Sequence, residues 1–232
     1  MMKNILFIGG STGIGLASIK KLQAENNIIA ASRTNENLSG LNVKHIYFDV
    51  KEGNFDASQL PETLDGFVYC LGSINLKPFK SLKAENFQED FQINFLGMIS
   101  ILQQILPKLL LSKQASIVLF SSVAAKNGLP FHTSIAASKS AIEGFAKSFA
   151  AEYAPKIRIN VIAPSLTETP LSEKLLNNDI KKEKSAERHP LKRVGKAEDI
   201  AVMVNFLLSE ESSWITGQIY GVDGGISTLN TN

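Results

Sequence analysis

The sequence predicts one α/β domain built on a doubly wound parallel sheet of about seven strands. Three observations predict it. Short apolar runs alternate with longer stretches of helical period along the whole chain. Most of those runs are continuously apolar, as strands read when helices cover both faces of a parallel sheet. No Pro/Gly/Ser-rich linker and no internal repeat divides the 232 residues, a length that one core still fills.

The first strand is expected at 3–8 (KNILFI), followed by a glycine-rich turn and a helical pattern at about 13–24. Strands at 27–32 (NIIAAS) and 43–49 (VKHIYFD) come next. The stretch from Asp49 to Asp65 leaves room only for a small helix around 57–63. A strand at 65–71 (DGFVYCL) precedes a helical region at 84–111, in which Pro107 predicts a kink or a terminal turn. After a strand at 115–121 (ASIVLFS), the helix 134–153 has Thr133 and Ser134 as hydroxyl candidates for its N-cap. The strand 157–163 (IRINVIA) is followed by a helix at 196–209, whose Ile200, Val202, Met203, Val204, Phe206 and Leu207 form a mostly apolar inner stripe. A last strand is expected at 217–222 (GQIYGV).

Composition excludes several function classes. With 24 Lys+Arg against 22 Asp+Glu the net charge is +2, so no broad basic field draws nucleic acid or an anionic membrane. The densest charge run, Lys181 to Arg193, carries both signs and reads as a solvated loop or helix face. A lone Cys70 forms no intramolecular disulfide, and the scattered His45, His132 and His189 offer no metal-ligand set. The apolar run Ile5–Ile8 is too short for a signal peptide and no segment approaches a membrane span, so a soluble, unprocessed protein is expected, and the lone cysteine fits a reducing cytoplasm.

The segment Ile5-Leu6-Phe7-Ile8-Gly9-Gly10-Ser11-Thr12-Gly13-Ile14-Gly15 is a strand, a glycine turn and a helix start. Glycines let the backbone turn tightly and approach a pyrophosphate, whose charge then lies at the helix N-terminus; nucleotide binding follows, with Ser11, Thr12 and Ile14 supplying the turn's other backbone groups. The second strand ends in Ser32-Arg33-Thr34, where an acidic residue would bond a free ribose 2′-hydroxyl. A guanidinium flanked by hydroxyls suits a 2′-phosphate instead, which favours NADP and leaves NAD without its acidic partner.

Together with the downstream segments, this turn resembles the short-chain dehydrogenase/reductase family, over nearly the whole chain. The family's glycine motif matches at Gly9, Gly13 and Gly15, with Ile8 where a threonine is usual. Asp49, followed by Val50, resembles the aspartate that addresses the adenine. The fourth-strand motif is degenerate, read as Tyr69-Cys70-Leu71-Gly72. Asn94 resembles the family's helix asparagine and Ser122 its substrate-orienting serine. The Pro-Gly motif appears as Pro164-Ser165, with Thr169 at the position expected near the nicotinamide amide. The tail from Arg193 to Gly225 is close to the family's C-terminal pattern, which bears on fold and assembly.

The resemblance implies a Rossmann-type domain spanning 1–232, with 171–193 as a substrate lid. It also implies an NADP-dependent oxidoreductase acting on a small-molecule substrate, and a homotetramer or homodimer. The helices 84–111 and 134–153 are the interface candidates, the latter offering Ala136, Ala137, Ser140, Gly144 and Ala150 for close packing.

The family's Tyr-x-x-x-Lys motif departs. Residues 128–139 align without a gap and place Ile135 where the tyrosine stands, while Lys139 remains. None of Tyr47, Tyr69, Tyr153 and Tyr220 falls there. That tyrosine serves as general acid or base, its phenol pKa of about 10 lowered by the lysine. An isoleucine does none of this, but Lys139 also implies a bond to the nicotinamide ribose, so cofactor binding is expected to survive. The resemblance therefore implies a slow or atypical oxidoreductase, or an NADPH-binding sensor, scaffold or subunit without turnover. His132, three residues earlier, is a weaker candidate proton donor. Cys70 reads as a small buried apolar residue, and Tyr153 lies at the far end of its helix.

Overall fold

In a computed structural model, residues 2–53 and 55–230 are described. The strands are β1 (Lys3–Ile8), β2 (Asn26–Ser32), β3 (Val43–Tyr47), β4 (Gly66–Tyr69), β5 (Ala115–Phe120), β6 (Ile157–Pro164), β7 (Thr167–Glu168), β8 (Gly195–Lys196) and β9 (Ile219–Val222). The helices are α1 (Gly13–Leu22), α2 (Ala84–Phe91), α3 (Gly97–Leu110), α4 (Val123–Lys126), α5 (Thr133–Tyr153), α6 (Asp179–Glu187) and α7 (Ala197–Leu208).

Seven strands pair in parallel in the order β3-β2-β1-β4-β5-β6-β9. Alternation along β1 explains the two layers: Leu6 and Ile8 enter a core shared with Met98, Ile101, Ile105, Ile142 and Phe149, whereas Ile5 and Phe7 enter one shared with Ile19, Ile200, Val204 and Leu207. All six residues of β5 are buried, as a strand covered on both faces must be. Among them Ile117, Val118, Leu119 and Phe120 each contribute about 1.5–3 kcal/mol on full burial. The strand order reverses between β1 and β4, opening a crevice beyond their carboxyl ends.

Ala84–Leu110 is a single helical run, by length and composition apolar enough to cross a membrane, contrary to the sequence expectation. Met98, Ile101, Leu102, Ile105 and Leu109 nonetheless bury its inner face, as in a core helix. Pro107 stands in its last turn, not at a kink between separate helices. The irregularity lies earlier, where Gln92–Leu96 is π-helical and the Gly97 amide bonds the Gln92 carbonyl five residues back. A Cβ on Gly97 would overlap Val50 Cγ2, so this turn packs against the end of the third strand region.

Other differences are local. The small helix expected at 57–63 is a 3₁₀ turn, Ala57–Gln59. The N-cap of α5 is His132, without a side-chain cap bond, and Ser134 is buried inside the first turn, correcting the hydroxyl-cap expectation. Ala150 belongs to the core, whereas Ala137, Ser140 and Gly144 are exposed. The lid segment contains a 3₁₀ turn, Pro170–Leu175, and α6, and a two-residue pairing of β7 with β8 ties its ends together.

Candidate active site

The turn after β1 is shaped by close approach. Gly9 has φ +87°, and a Cβ there would lie 2.6 Å from Leu71 Cδ2, so Leu71 covers it from the end of β4. A Cβ on Gly15 would lie 2.7 Å from the Gly9 carbonyl oxygen and 2.9 Å from Gly10 Cα, so only glycine lets α1 begin this near the strand. Gly13 lies under Thr169, with a Cβ position 3.3 Å from that side chain. Thr12 precedes α1 with no side-chain cap bond, and no acidic residue occupies the first turn. The first amides of α1 thus present a positive helix end to an anion.

The loop after β2 is tied to this turn. Ser11 Oγ lies 3.2 Å from Thr34 Oγ1, and Asn37 donates to the Ser11 carbonyl at 3.2 Å. Ser32 is buried, its hydroxyl donating to the Thr34 carbonyl at 2.8 Å and lying 3.1 Å from His45 Nε2. Ser32 therefore shapes the loop from inside, and exposed Arg33 is the charged group it presents. Asp49 accepts the Lys51 amide at 2.9 Å, and Val50 is buried beside Gly97.

The second corner lies above Gly72. A Cβ there would be 3.4 Å from Asn94 Oδ1, 3.7 Å from Lys139 Nζ and 3.8 Å from Leu171 Cδ2, so a helix asparagine, a buried lysine and the lid converge on one point. Lys139 donates to the Phe120 carbonyl at 3.0 Å. Burial lowers its pKa to about 8, against the opposing pull of Asp90 and then Cys70. Burial also pushes the Cys70 thiol to about 12, which removes it as a nucleophile. Asn94 Nδ2 donates to Ser73 Oγ and to the Asp90 carbonyl, each at 2.8 Å. By taking the carbonyl four residues back, that side chain explains the widened turn around it. Its Oδ1 is buried without a partner.

Ile135 is buried one helical turn before Lys139 and so shares its face of α5. Ser122 caps α4, its Oγ accepting the Ala124 amide at 3.2 Å, a bond that leaves its own hydrogen unspent. Pro164 ends β6 next to Ser165, whose Oγ is 2.8 Å from Nε2 of buried His189. His132 Nδ1 is 2.6 Å from the Pro130 carbonyl, and Tyr153 stacks on Phe149 at 4.4 Å.

Sequence reasoning missed a polar set behind this corner. Ser121 Oγ donates to Glu143 Oε1 at 2.6 Å and so ties β5 to α5 near Lys139. Asp90 is fully buried and accepts from Ser73, Asn75 and Ser134. The available signal was its spacing, four residues before Asn94 on one helix face.

The glycine cradle, the open helix end and the orphaned Asn94 Oδ1 fit a dinucleotide lying across the strand ends, and they define a dinucleotide-binding α/β protein. A family model described as enoyl-(acyl carrier protein) reductase matches residues 10–227. The 3-oxoacyl-[acyl-carrier-protein] reductase of Thermotoga maritima is 32% identical over 97% of each chain. The ligand-free aldohexose dehydrogenase of Thermoplasma acidophilum superposes with a TM-score of 0.88 at 27% identity, covering 100% of this chain and 96% of that one. A tyrosine-to-phenylalanine variant of ElxO with NADPH bound has a TM-score of 0.89 at 25% identity, covering 99% of this chain and 100% of that one. The chain belongs to the short-chain dehydrogenase/reductase family, whose members are oxidoreductases that bind nicotinamide cofactors.

Proposed function

We propose that this chain is an NADP-dependent oxidoreductase acting between NADPH and a carbonyl or alcohol substrate, slowly, because Ile135 stands where the family places its acid–base tyrosine. The observation that carries the reading is the convergence of Lys139 Nζ and Asn94 Oδ1 above Gly72, one helical turn from Ile135. Bound NADPH supplies the hydride.

The chain's own residues bind and orient. Gly9, Ser11, Thr12, Gly13, Ile14 and Gly15 hold the pyrophosphate; Arg33, braced by Ser32, pairs with the 2′-phosphate; Asp49 and Val50 flank the adenine. Leu71, Gly72, Pro164 and Thr169 border the nicotinamide end, where Lys139 binds the ribose. Ser122 donates its free hydroxyl hydrogen to the substrate oxygen, Asn94 supports Lys139, and the segment 171–193 covers the substrate. Loss of a general acid typically removes ~10²–10⁴-fold in rate, which leaves a slow enzyme if positioning is intact. The Thermotoga relative's name puts 3-oxoacyl thioesters first in the carbonyl panel. We also propose a cytoplasmic homodimer or homotetramer, with exposed Ala137, Ser140 and Gly144 at an interface.

NADPH oxidation against that panel tests the reading. Slow turnover that falls further in Lys139→Ala and Ser122→Ala supports it; activity indifferent to both substitutions contradicts it. The burial of Ile135 favours one second reading, an NADPH-binding sensor, scaffold or subunit. Saturable NADPH binding with no turnover on any carbonyl would select that reading.

A further inference from the structure

Asp90 has no role in the account above, yet three side chains converge on it. Its Oδ1 accepts from Ser73 Oγ at 2.5 Å and Asn75 Nδ2 at 2.8 Å, and its Oδ2 accepts from Ser134 Oγ at 2.6 Å. A fully buried carboxylate is costly unless donors satisfy it, and for this residue of α2 the loop after β4 supplies two and the first turn of α5 a third.

The consequence lies at Asn94. The two ends of an amide have nearly the same shape, so its orientation is set by the groups around it. Asn94 Nδ2 donates to Ser73 Oγ, which is free to accept because Ser73 spends its own hydrogen on Asp90. A carboxylate only accepts, so it fixes the direction of the chain Asn94 to Ser73 to Asp90. The Asp90 carbonyl takes the second Nδ2 hydrogen. Asn94 Oδ1 is thereby turned toward the point above Gly72 that Lys139 Nζ also faces.

We infer that Asp90 is a positioning residue, holding the Asn94 amide with its oxygen toward Lys139 and placing a fixed negative charge behind that lysine. The inference rests on the reading that Lys139 and Asn94 face the nicotinamide end of NADPH. Around Lys139, the titratable groups that act on it are Asp90, from α2, and Cys70, following β4; the Cys70 thiol, at about 12, stays neutral over the working range. Glu143, one turn further along α5, is bonded to Ser121, so among the described residues Asp90 is the charged group that acts on Lys139.

The test compares wild type, Asp90→Asn and Ser73→Ala by NADPH fluorescence titration from pH 6 to 10, and by hydrogen exchange of the Asn94 side-chain amide without cofactor. Wild-type affinity is expected to decline above about pH 8, where Lys139 loses its proton. Losing the Asp90 charge makes the Lys139 ammonium less favourable, so in Asp90→Asn that decline moves to lower pH, with NADPH binding ~10-fold weaker near neutrality. Ser73→Ala keeps the charge: affinity falls several-fold, roughly as one hydrogen bond would cost, and the pH of the decline stays put. In both variants the Asn94 amide exchanges faster.

A folded Asp90→Asn with unchanged pH dependence, or unchanged Asn94 exchange in both variants, overturns the inference. If Asp90→Asn does not fold, Asn94 exchange in Ser73→Ala decides. If wild type binds no NADPH at any pH, the cofactor reading fails, and amide exchange still decides the role of Asp90.

Discussion

The glycine turn and the Lys139 corner lie at the ends of neighbouring strands, and they carry different kinds of information. Around Gly9 to Gly15 the site is made of backbone: a positive φ, a helix end, and spaces too small for a Cβ. Around Lys139 it is made of side chains, and one of them decides the chemistry. We propose that Asn94, Ser122 and Lys139 keep their family roles, while Ile135, buried on the Lys139 face of α5, puts an aliphatic group where an acid is expected. A backbone site is lost only by remodelling a turn; an acid–base site is lost by one substitution that the fold tolerates.

Restoring the phenol is the sharpest way to probe that contrast. Ile135→Tyr is expected to raise the rate of NADPH oxidation by ~10²–10⁴-fold, measured as initial rate at saturating NADPH with 3-oxoacyl thioesters and other carbonyls. No gain would place the deficiency elsewhere in the corner.

Lys139 gives the next effect. Its folded pKa of about 8 lies below its ordinary value of 10.5, so the charged form is penalised by folding. The penalty is complete below about pH 8 and is relieved as pH rises from there toward 10.5. Urea unfolding should show wild type gaining up to roughly 3 kcal/mol over that window relative to Lys139→Met, which lacks the titration. Parallel stability curves for the two proteins would contradict the lysine's burial as a charged group.

On the backbone side, Gly15→Ala places a Cβ against the Gly9 carbonyl. A loss of ~1–3 kcal/mol in thermal unfolding, with weaker NADPH binding, is expected from such overpacking. Wild-type affinity in that variant would show that the cradle does not need the close approach.

The centre of the sheet was legible because β4 and β5 are buried on both faces and read as mostly apolar runs, whereas the edge strands β3 and β9 are only partly covered. The β1 turn was legible for a related reason, since a glycine that a Cβ would displace leaves a visible mark. The pairing of β7 with β8 was not, because two residues carry no periodicity, and the charge run left α6 undecided between a solvated loop and a helix face because that helix buries no residue. Ser134 looked like a cap because a hydroxyl at a helix start usually is one; in the fold, α2 passes close enough for Asp90 to claim it. The burial of Asp90 depends on partners from segments far apart in sequence. Ser32 was placed beside the phosphate by position alone, whereas its hydroxyl is committed to Thr34 and His45.

We propose that the NADPH site is complete and that its acid–base residue is absent. Titration of the unmodified chain with NADPH and NADH, beside Arg33→Ala, tests it most directly. Saturable NADPH binding is expected, ~10-fold or more tighter than NADH, with the preference erased in Arg33→Ala. Absence of saturable NADPH binding, or equal weakening of both nucleotides in Arg33→Ala, would contradict it.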